Sequence, residues 1–307
     1  MNKGNGKFLV MGSLNYDYIY ALDHIVSEGE TEAAEDVETV CGGKGLNQAI
    51  ALAKAGAVVY QGGMLGEDGA MLRETLQQNG VNTEFLKNVQ GRNGHAFIQV
   101  DSTGKNAIVL LGGSNRKLTN EQIQETLQSF SNEDYLVLQN EINDVEKVID
   151  AGYKRGMKIV LNPSPYEEKI RSWPLSKINI FFVNEIEGRQ LTGEKEPERI
   201  VNRMNEAFPH AEVILTLGTK GACYSHGKAR LFQPAFRIKT VDTTAAGDTF
   251  TGFFLAAKAR GENPAKCMEI AAKAAAIAAT GKGAAPSIPL WEEVQKTQLN
   301  VYYEDIK

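Results

Sequence analysis

The stretch Val241-Asp242-Thr243-Thr244-Ala245-Ala246-Gly247-Asp248-Thr249-Phe250 sets small residues and a pair of carboxylates at the start of an apolar helical pattern. Phe250, Phe253, Phe254 and Ala257 recur at helical spacing, whereas the residues from Phe236 to Val241 alternate as an extended strand does. The small residues Ala245 to Gly247 therefore predict a helix start whose N–H groups have no acceptor within the helix. Such a terminus attracts phosphate, because the free N–H groups and the aligned peptide dipoles both favour negative charge. An isolated Asp at this place reads as a cap. Here Asp242 and Asp248 flank one turn. One can cap or hold a cation while the other takes a proton from a hydroxyl, which is the division of labour that phosphoryl transfer to an alcohol requires.

Upstream, Cys41-Gly42-Gly43-Lys44-Gly45-Leu46-Asn47-Gln48 precedes the alanine-rich stretch Ala49 to Ala55 and repeats the pattern of glycines before a helix, where a ligand can approach the backbone. Phe8 to Met11 is a short apolar run ending in Gly12-Ser13, as a buried first strand does, and its C-terminal end presents Asn15 and Asp17. From Asn120 onward strand-like runs (Tyr135 to Gln139, Lys158 to Leu161, Ile178 to Val183, Val213 to Leu217) alternate with helical ones such as Val145 to Arg155. That alternation predicts an α/β fold with a mostly parallel central sheet and helices on both faces. Ile270 to Thr280 reads as a small-residue helix packed close against its neighbours. Residues 18–40 lack helical period, and Gly94 to Val100 and Asn106 to Leu111 alternate around the connector 101–105, so extra strands are expected outside the main sheet. No Pro-, Ser- and Gly-rich linker divides the chain, which predicts one domain over 1–307 with lid strands inserted within about 14–40 and 94–111.

Bulk properties remove several function classes. With 33 basic and 38 acidic side chains, a net charge of −5 and no block of Lys or Arg, the chain has no footprint for nucleic acid or an anionic membrane. No apolar run reaches the roughly 18 residues that span a bilayer, and Met1 to Lys7 is polar, so a cytoplasmic protein is expected. Cys41, Cys223 and Cys267 lie far apart without Cys-x-x-Cys pairing, which argues against a zinc site or disulfide framework. His24, His95, His210 and His226 are scattered and read as surface or packing residues. The Gly-x-Gly-x-x-Gly signature of dinucleotide enzymes and the Gly-x-x-x-x-Gly-Lys frame of P-loop enzymes are both missing.

Taken in this order, Ser13-Leu14-Asn15-Tyr16-Asp17, the Cys41 to Gln48 cluster and the Ala-Ala-Gly-Asp element at 245–248 resemble the ribokinase branch of the PfkB carbohydrate kinases over nearly the whole chain. Ala245, where the wider family usually carries glycine, favours that branch over fructokinases or adenosine kinases. The resemblance implies ATP-dependent phosphorylation of a primary hydroxyl on a furanose, foremost D-ribose to ribose 5-phosphate, with fructose, 2-deoxyribose or a nucleoside as alternatives. It also implies Asp248 as general base and the N–H groups of Ala245, Ala246 and Gly247 as anion hole. The sugar would meet Asn15, Asp17, Gly43, Lys44, Asn47, Glu141 and Asp248. The nucleotide would meet Asn184 and the loop bearing Thr216, Gly218 and Gly221. Glu187 would steer Mg²⁺ through water, and Asp242, Thr244, Ala279, Lys282, Ala284 and Ser287 would hold K⁺ or another monovalent cation. The partners implied are a small-molecule sugar, ATP and a second copy of the chain paired through the lid sheet. Ala272 departs from the His or Asn that many members place near adenine.

The residues by themselves leave structural readings open at several of these positions. Asn184 and Glu187 have the spacing of a capping box. Residues 216–221 can form a hairpin turn, Asn15 can be a turn residue, Lys44 a solvated lysine at a helix start, and Glu141 a loop charge after a strand.

Overall fold

A computed structural model describes residues 6–301. A nine-stranded sheet forms the centre, in the order β13 (Ala229–Pro234), β12 (Gly221–His226), β11 (Glu212–Thr216), β10 (Ile180–Asn184), β9 (Lys158–Asn162), β8 (Tyr135–Gln139), β1 (Phe8–Met11), β4 (Val59–Leu65) and β5 (Asn82–Asn88). From β11 to β5 every neighbouring pair is parallel, and β12 with β13 closes one edge in antiparallel fashion. The expected α/β architecture is thus present, with the sequence-derived strands in place to within a residue or two.

Alternation of side chains builds two cores from one sheet. In β1, Phe8 and Val10 join one buried cluster while Leu9 and Met11 join the other; in β10, Ile180 and Phe182 are divided from Phe181 and Val183 in the same way. A strand covered on both faces has to be apolar throughout, which is why these runs are continuous rather than alternating. The first cluster is covered by α1 (Lys44–Lys54), α2 (Ala70–Gln78), α7 (Ala246–Ala259), α8 (Pro264–Ala278) and α9 (Trp291–Lys296). The second lies under α3 (Asn120–Leu127), α4 (Val145–Lys154), α5 (Glu185–Thr192) and α6 (Pro197–Ala207). Among the described residues no helix is long and apolar enough to cross a membrane.

A second sheet stands apart, ordered β3 (Asp36–Gly42), β2 (Asn15–Ala21), β6 (Gly94–Val100), β7 (Asn106–Leu111). Its strands fall in the two expected segments, with β3 running on to Gly42. Because β2 begins at Asn15, directly after the Gly12-Ser13-Leu14 corner that follows β1, this lid hangs from the C-terminal end of a central strand. The chain proceeds from β1 toward β4 on one side and from β8 toward β9 on the other, so the boundary between β1 and β8 is a topological switch point, where sheets of this kind bind ligands beyond the C-terminal ends of the strands.

One expectation fails. The alternating residues from Phe236 to Val241 do not form a strand: β13 stops at Pro234, Phe236 makes an isolated bridge to Val301, and residues 237–241 run irregularly. Val241 is 60% exposed, so no apolar face rewards a regular ladder, and its N–H is satisfied instead by the Ala279 carbonyl at 2.9 Å.

Two glycines let the helices that carry the site meet. A Cβ on Gly45 would stand 2.4 Å from the Gly12 carbonyl carbon, and a Cβ on Gly252 would stand 2.5 Å from Ala51 Cβ and 2.8 Å from Leu52 N. Gly252 therefore seats α7 closely on the Ala51–Leu52 stretch of α1, and Gly45 seats α1 on the corner after β1. Gly252→Ala gains about 1 kcal/mol of helix propensity but forces backbone atoms apart, an overpacking cost of about 1–3 kcal/mol. The expected outcome is a net loss of stability in urea unfolding together with reduced turnover as α1 and α7 separate; a variant as stable and as active as the wild type would contradict this packing.

Candidate active site

At the head of α7, Ala245 has φ 60 and ψ 7, a left-handed conformation, and right-handed helix follows from Ala246. A left-handed residue next to a right-handed one turns successive N–H groups toward a common point, the concave anion-binding arrangement. Holding alanine there costs about 1–2 kcal/mol. The N–H groups are not equally free. That of Ala246 donates to the Thr243 carbonyl at 3.1 Å, whereas Gly247 and Asp248 find no backbone acceptor. The expectation of three bare groups at 245–247 is corrected to this extent, because Thr243 closes a tight turn onto Ala246. A Cβ on Gly247 would meet nothing within 4 Å, so a side chain there would project into open space in front of the helix.

Asp248 lies in the first turn of α7, and α1 holds both of its oxygens. Asn47 Nδ2 donates to Oδ2 at 3.1 Å and Gln48 Nε2 donates to Oδ1 at 2.9 Å. These donors sit where they do because Gly43, at φ 95, turns the chain from the lid strand β3 into α1. Burial raises the Asp248 pKa above the ordinary carboxylate range; the Lys44 charge and the two amide donors oppose that rise, and Glu141 adds to it. A raised pKa suits a carboxylate that has to accept a proton near neutral pH.

Around this pair lies a charge cluster drawn from the lid and the strand ends. Glu141, in the loop after β8, accepts the Lys44 backbone N–H at Oε2 (3.1 Å), receives the Ser13 hydroxyl, and has Lys44 Nζ 3.8 Å from Oε1. Asp17 projects from β2 beside Gly42, where a Cβ would fall 2.0 Å from its Oδ2. Burial pushes the Asp17 pKa up to about 6, Glu141 adding to the rise and Lys44 opposing it. Lys44 loses hydration on burial, which by itself lowers its pKa, yet the charges of Glu141, Asp248, Glu187 and Asp17 raise it above the usual lysine value. One ammonium is thus within electrostatic reach of all four carboxylates. Asn15 is 4% exposed, and its Oδ1 accepts from Asn115 Nδ2 at 2.7 Å, so its own amide NH₂ remains to donate elsewhere. Asn15 is thus the first residue of a strand rather than part of a turn, Lys44 faces Glu141, and Glu141 is a charge in the loop after β8, as one reading of the sequence has it.

Farther along the strand ends the structural readings are realised. Asn184 and Glu187 form a complete capping box: Glu187 Oε2 accepts the Asn184 N–H at 3.0 Å, Oε1 accepts Asn184 Nδ2 at 3.1 Å, and Asn184 Oδ1 accepts the Glu187 N–H at 2.9 Å. Thr216 ends β11, and residues 217–220 make the tight connection to β12, with Leu217 N–H on the Gly221 carbonyl at 2.8 Å. Gly218 (φ 58) and Gly221 (φ 123) occupy left-handed positions; a Cβ on Gly221 would strike the Gln233 carbonyl, while one on Gly218 would meet nothing. Residues 241–244 and 279–287 also come together. Asp242 Oδ2 accepts the Gly283 N–H at 2.9 Å, and Oδ1 accepts the Thr244 N–H and hydroxyl at 2.8 and 2.6 Å. The Ala279 carbonyl accepts the N–H groups of Val241 and Asp242, and the Ala284 carbonyl accepts the Ser287 hydroxyl and backbone N–H. Lys282 points away to Glu38 of β3 at 3.0 Å, so only its backbone can serve this loop.

Residues with no assigned role in the sequence reading also shape the cleft. Asn115 ties Leu14 and Asn15, accepting the Leu14 N–H at 3.0 Å, and Gln139 Nε2 donates to Gln48 Oε1 at 2.6 Å. Lys44, Asn47 and Gln48 recur at i, i+3 and i+4 in an otherwise apolar helix, a periodicity that marks one polar face turned inward. No comparable local signal exists for Asn115 or Gln139, whose partners lie 100 and 91 residues away.

Comparison with known proteins agrees with this geometry. Residues 5–291 match the pfkB family carbohydrate kinase. The chain is 35% identical over 294 residues to a ribokinase of Haemophilus influenzae, covering 92% of this chain and 95% of that one. It is 32% identical over 295 residues to a deoxyribokinase of Salmonella typhi, covering 92% and 96% respectively. The structure of Arabidopsis thaliana ribokinase complexed with ribose and ATP superposes with a TM-score of 0.84 at 32% identity, covering 95% of this chain and 98% of that one. The chain belongs to the pfkB family of carbohydrate kinases, as a ribokinase-type phosphotransferase acting on a sugar hydroxyl.

Proposed function

We propose that the protein transfers the γ-phosphoryl group of ATP to the primary hydroxyl of D-ribose, giving ribose 5-phosphate and ADP. The observation that carries this reading is the Asp248 carboxylate, fixed by two amides at the mouth of a helix N-terminus and facing the Asp17, Lys44 and Glu141 cluster. Asp248 accepts the hydroxyl proton as the sugar oxygen attacks γ-phosphorus, and the bond to the β,γ-bridging oxygen breaks as ADP leaves. Positioned bases typically contribute about 10² to 10⁴ in rate. The N–H groups at the head of α7 that lack a backbone acceptor, those of Gly247 and Asp248 among them, stabilise the charge on the migrating group, where one donor is worth about 3 kcal/mol.

In this reading Asp17 and Glu141 accept from sugar hydroxyls, while Asn15, Asn47 and Lys44 donate and Gly43 lets the sugar approach the backbone. Asn184, Thr216, Gly218 and Gly221 border the nucleotide. Mg²⁺ would be reached from Glu187 only through water, since both carboxylate oxygens already accept from Asn184; bound there, the ion would neutralise phosphate charge. K⁺ would be held by Asp242 and by the carbonyls at Thr244, Ala279, Lys282 and Ala284, beside Ser287, the Ala279 and Ala284 oxygens giving up a hydrogen bond each to reach it, and it would brace the anion-hole turn from behind. The lid exposes Val37, Phe97, Ile108, Val109, Leu110 and Leu111, an apolar area suited to pairing with the lid of a second copy. A cytoplasmic site of action fits ATP as the phosphate donor.

A second reading, 2-deoxyribose as acceptor, is favoured by the Salmonella relative. A site crowded with hydroxyl partners discriminates against a sugar lacking one of them, because a buried polar group is then left unpaired. ADP release measured across a panel of sugars is expected to give kcat/KM for ribose at least tenfold above that for 2-deoxyribose, with Asp248→Asn lowering turnover by about 10² or more. Equal turnover of 2-deoxyribose would favour the second reading, and an active Asp248→Asn variant would remove the base.

Asp17 supplies a test that combines stability with pH. Its pKa in the folded chain, about 6, lies above the ordinary 3.8, so the fold binds this proton more tightly than the unfolded chain does. The ionised form therefore destabilises the ligand-free protein above pH 6, and the penalty disappears below the ordinary value. Asp17→Asn is expected to raise the unfolding free energy at pH 7.5 by about 1–2 kcal/mol, with no gain near pH 3.5, while weakening ribose binding severalfold or more. Urea titrations at the two pH values, paired with the ribose KM, read this out; a variant destabilised at pH 7.5 would contradict it.

A further inference from the structure

Behind the proposed base lies a polar chain whose one link to the proposed sugar contacts is Asp248 itself. Gln139, at the end of β8, and Gln48, on α1, are each fully buried. Gln139 Nε2 donates to Gln48 Oε1 at 2.6 Å, and Gln48 Nε2 donates to Asp248 Oδ1 at 2.9 Å. Gly12 is needed for this contact, because a Cβ there would fall 2.0 Å from Gln139 Oε1. Direction is the informative property of the chain. A primary amide presents NH₂ on one side and oxygen on the other, so Gln48 can offer its NH₂ to Asp248 only while its oxygen faces a donor. Gln139 is that donor.

We infer that Gln48, clamped by Gln139, is a positioning residue that keeps the Asp248 carboxylate ionised and aimed at the acceptor hydroxyl. The inference rests on Asp248 being the general base. A buried carboxylate that accepts charge-assisted hydrogen bonds is stabilised in its ionised form, and a donor fixed from behind also restricts rotation of the carboxylate. The charges facing Asp248 are Lys44 on α1, which favours ionisation, and Glu141 in the loop after β8, which opposes it. Neither restrains the Oδ1 edge. Asn47 holds Oδ2, but it also belongs to the proposed sugar contacts, whereas Gln48 has no such second role.

Gln48→Glu preserves shape and reverses the relay, placing an acceptor and a like charge against Asp248. The expected result is an acid limb of the kcat profile moved up by about one pH unit, a loss of kcat that approaches tenfold on the acid side of that limb and largely disappears on its alkaline side, and a ribose KM within threefold of the wild type. Gln48→Met, which cannot donate but adds no charge, is expected to move the limb in the same direction by a smaller amount, and it serves as the test if the Glu variant does not fold. Gln139→Met, which leaves Gln48 in place but unclamped, is expected to lower kcat several-fold. An unmoved limb, or a loss of kcat equal at every pH, would mean that Gln48 merely packs and would overturn the inference. The wild-type acid limb and its disappearance in Asp248→Asn test the base itself, so failure there is distinguishable from failure of the relay.

Discussion

The structure depends on a carboxylate shared between two helices. Asp248 belongs to α7 by sequence, but α1 holds both of its oxygens, and α1 in turn is pressed against the corner after β1 through Gly45 and against α7 through Gly252. Two hydrogen bonds to a charged acceptor are each worth about 1.5–3 kcal/mol when buried. They bring the N-termini of both helices to one point at the C-terminal ends of the parallel strands. In the proposed reading, a ligand that enters there meets the base, the sugar-binding groups and unpaired N–H groups without any of them moving far.

Charge balance around that point is deliberately incomplete. Lys44 faces Glu141, Asp248, Glu187 and Asp17, so the ligand-free cleft carries more negative charge than its lysine neutralises. Burial raises the pKa values of Asp17 and Asp248 there, and the Glu141 charge adds to the rise. Such a site costs stability and is maintained by the surrounding packing, as strained functional sites generally are. Ala245, held at positive φ so that its neighbours' N–H groups converge, is the backbone counterpart of the same trade. The lid contributes Asn15 and Asp17 from one strand that follows β1 directly, which couples these proposed sugar contacts to the rigid sheet rather than to a loose loop.

Much of this was legible in the sequence because it is written locally. The continuous apolar runs at 8–11 and 135–139 announce strands buried on both faces, and the clusters at 41–48 and 241–250 announce helix starts with open backbone. What was not legible depends on distant partners. β4 carries Gly62-Gly63 and β5 alternates at a sheet edge, so neither has the apolar continuity of the central strands. The alternation at 236–241 resembles a strand, but no neighbouring strand or apolar face accepts it. Asn184 and Glu187 show the opposite limit. Their spacing fits a cap and a metal ligand equally, and in the fold the cap is fully formed. Gln139 and Asn115 act only through contacts across about a third of the chain.

The most direct test of the central claim is a crystal structure of the protein with D-ribose and a non-hydrolysable ATP analogue. The account predicts the ribose primary hydroxyl within hydrogen-bonding distance of Asp248, and the terminal phosphate of the analogue on the N–H groups of Gly247 and Asp248, in line with that hydroxyl. A sugar whose primary hydroxyl faces away from Asp248, or a terminal phosphate bound away from the head of α7, would contradict it.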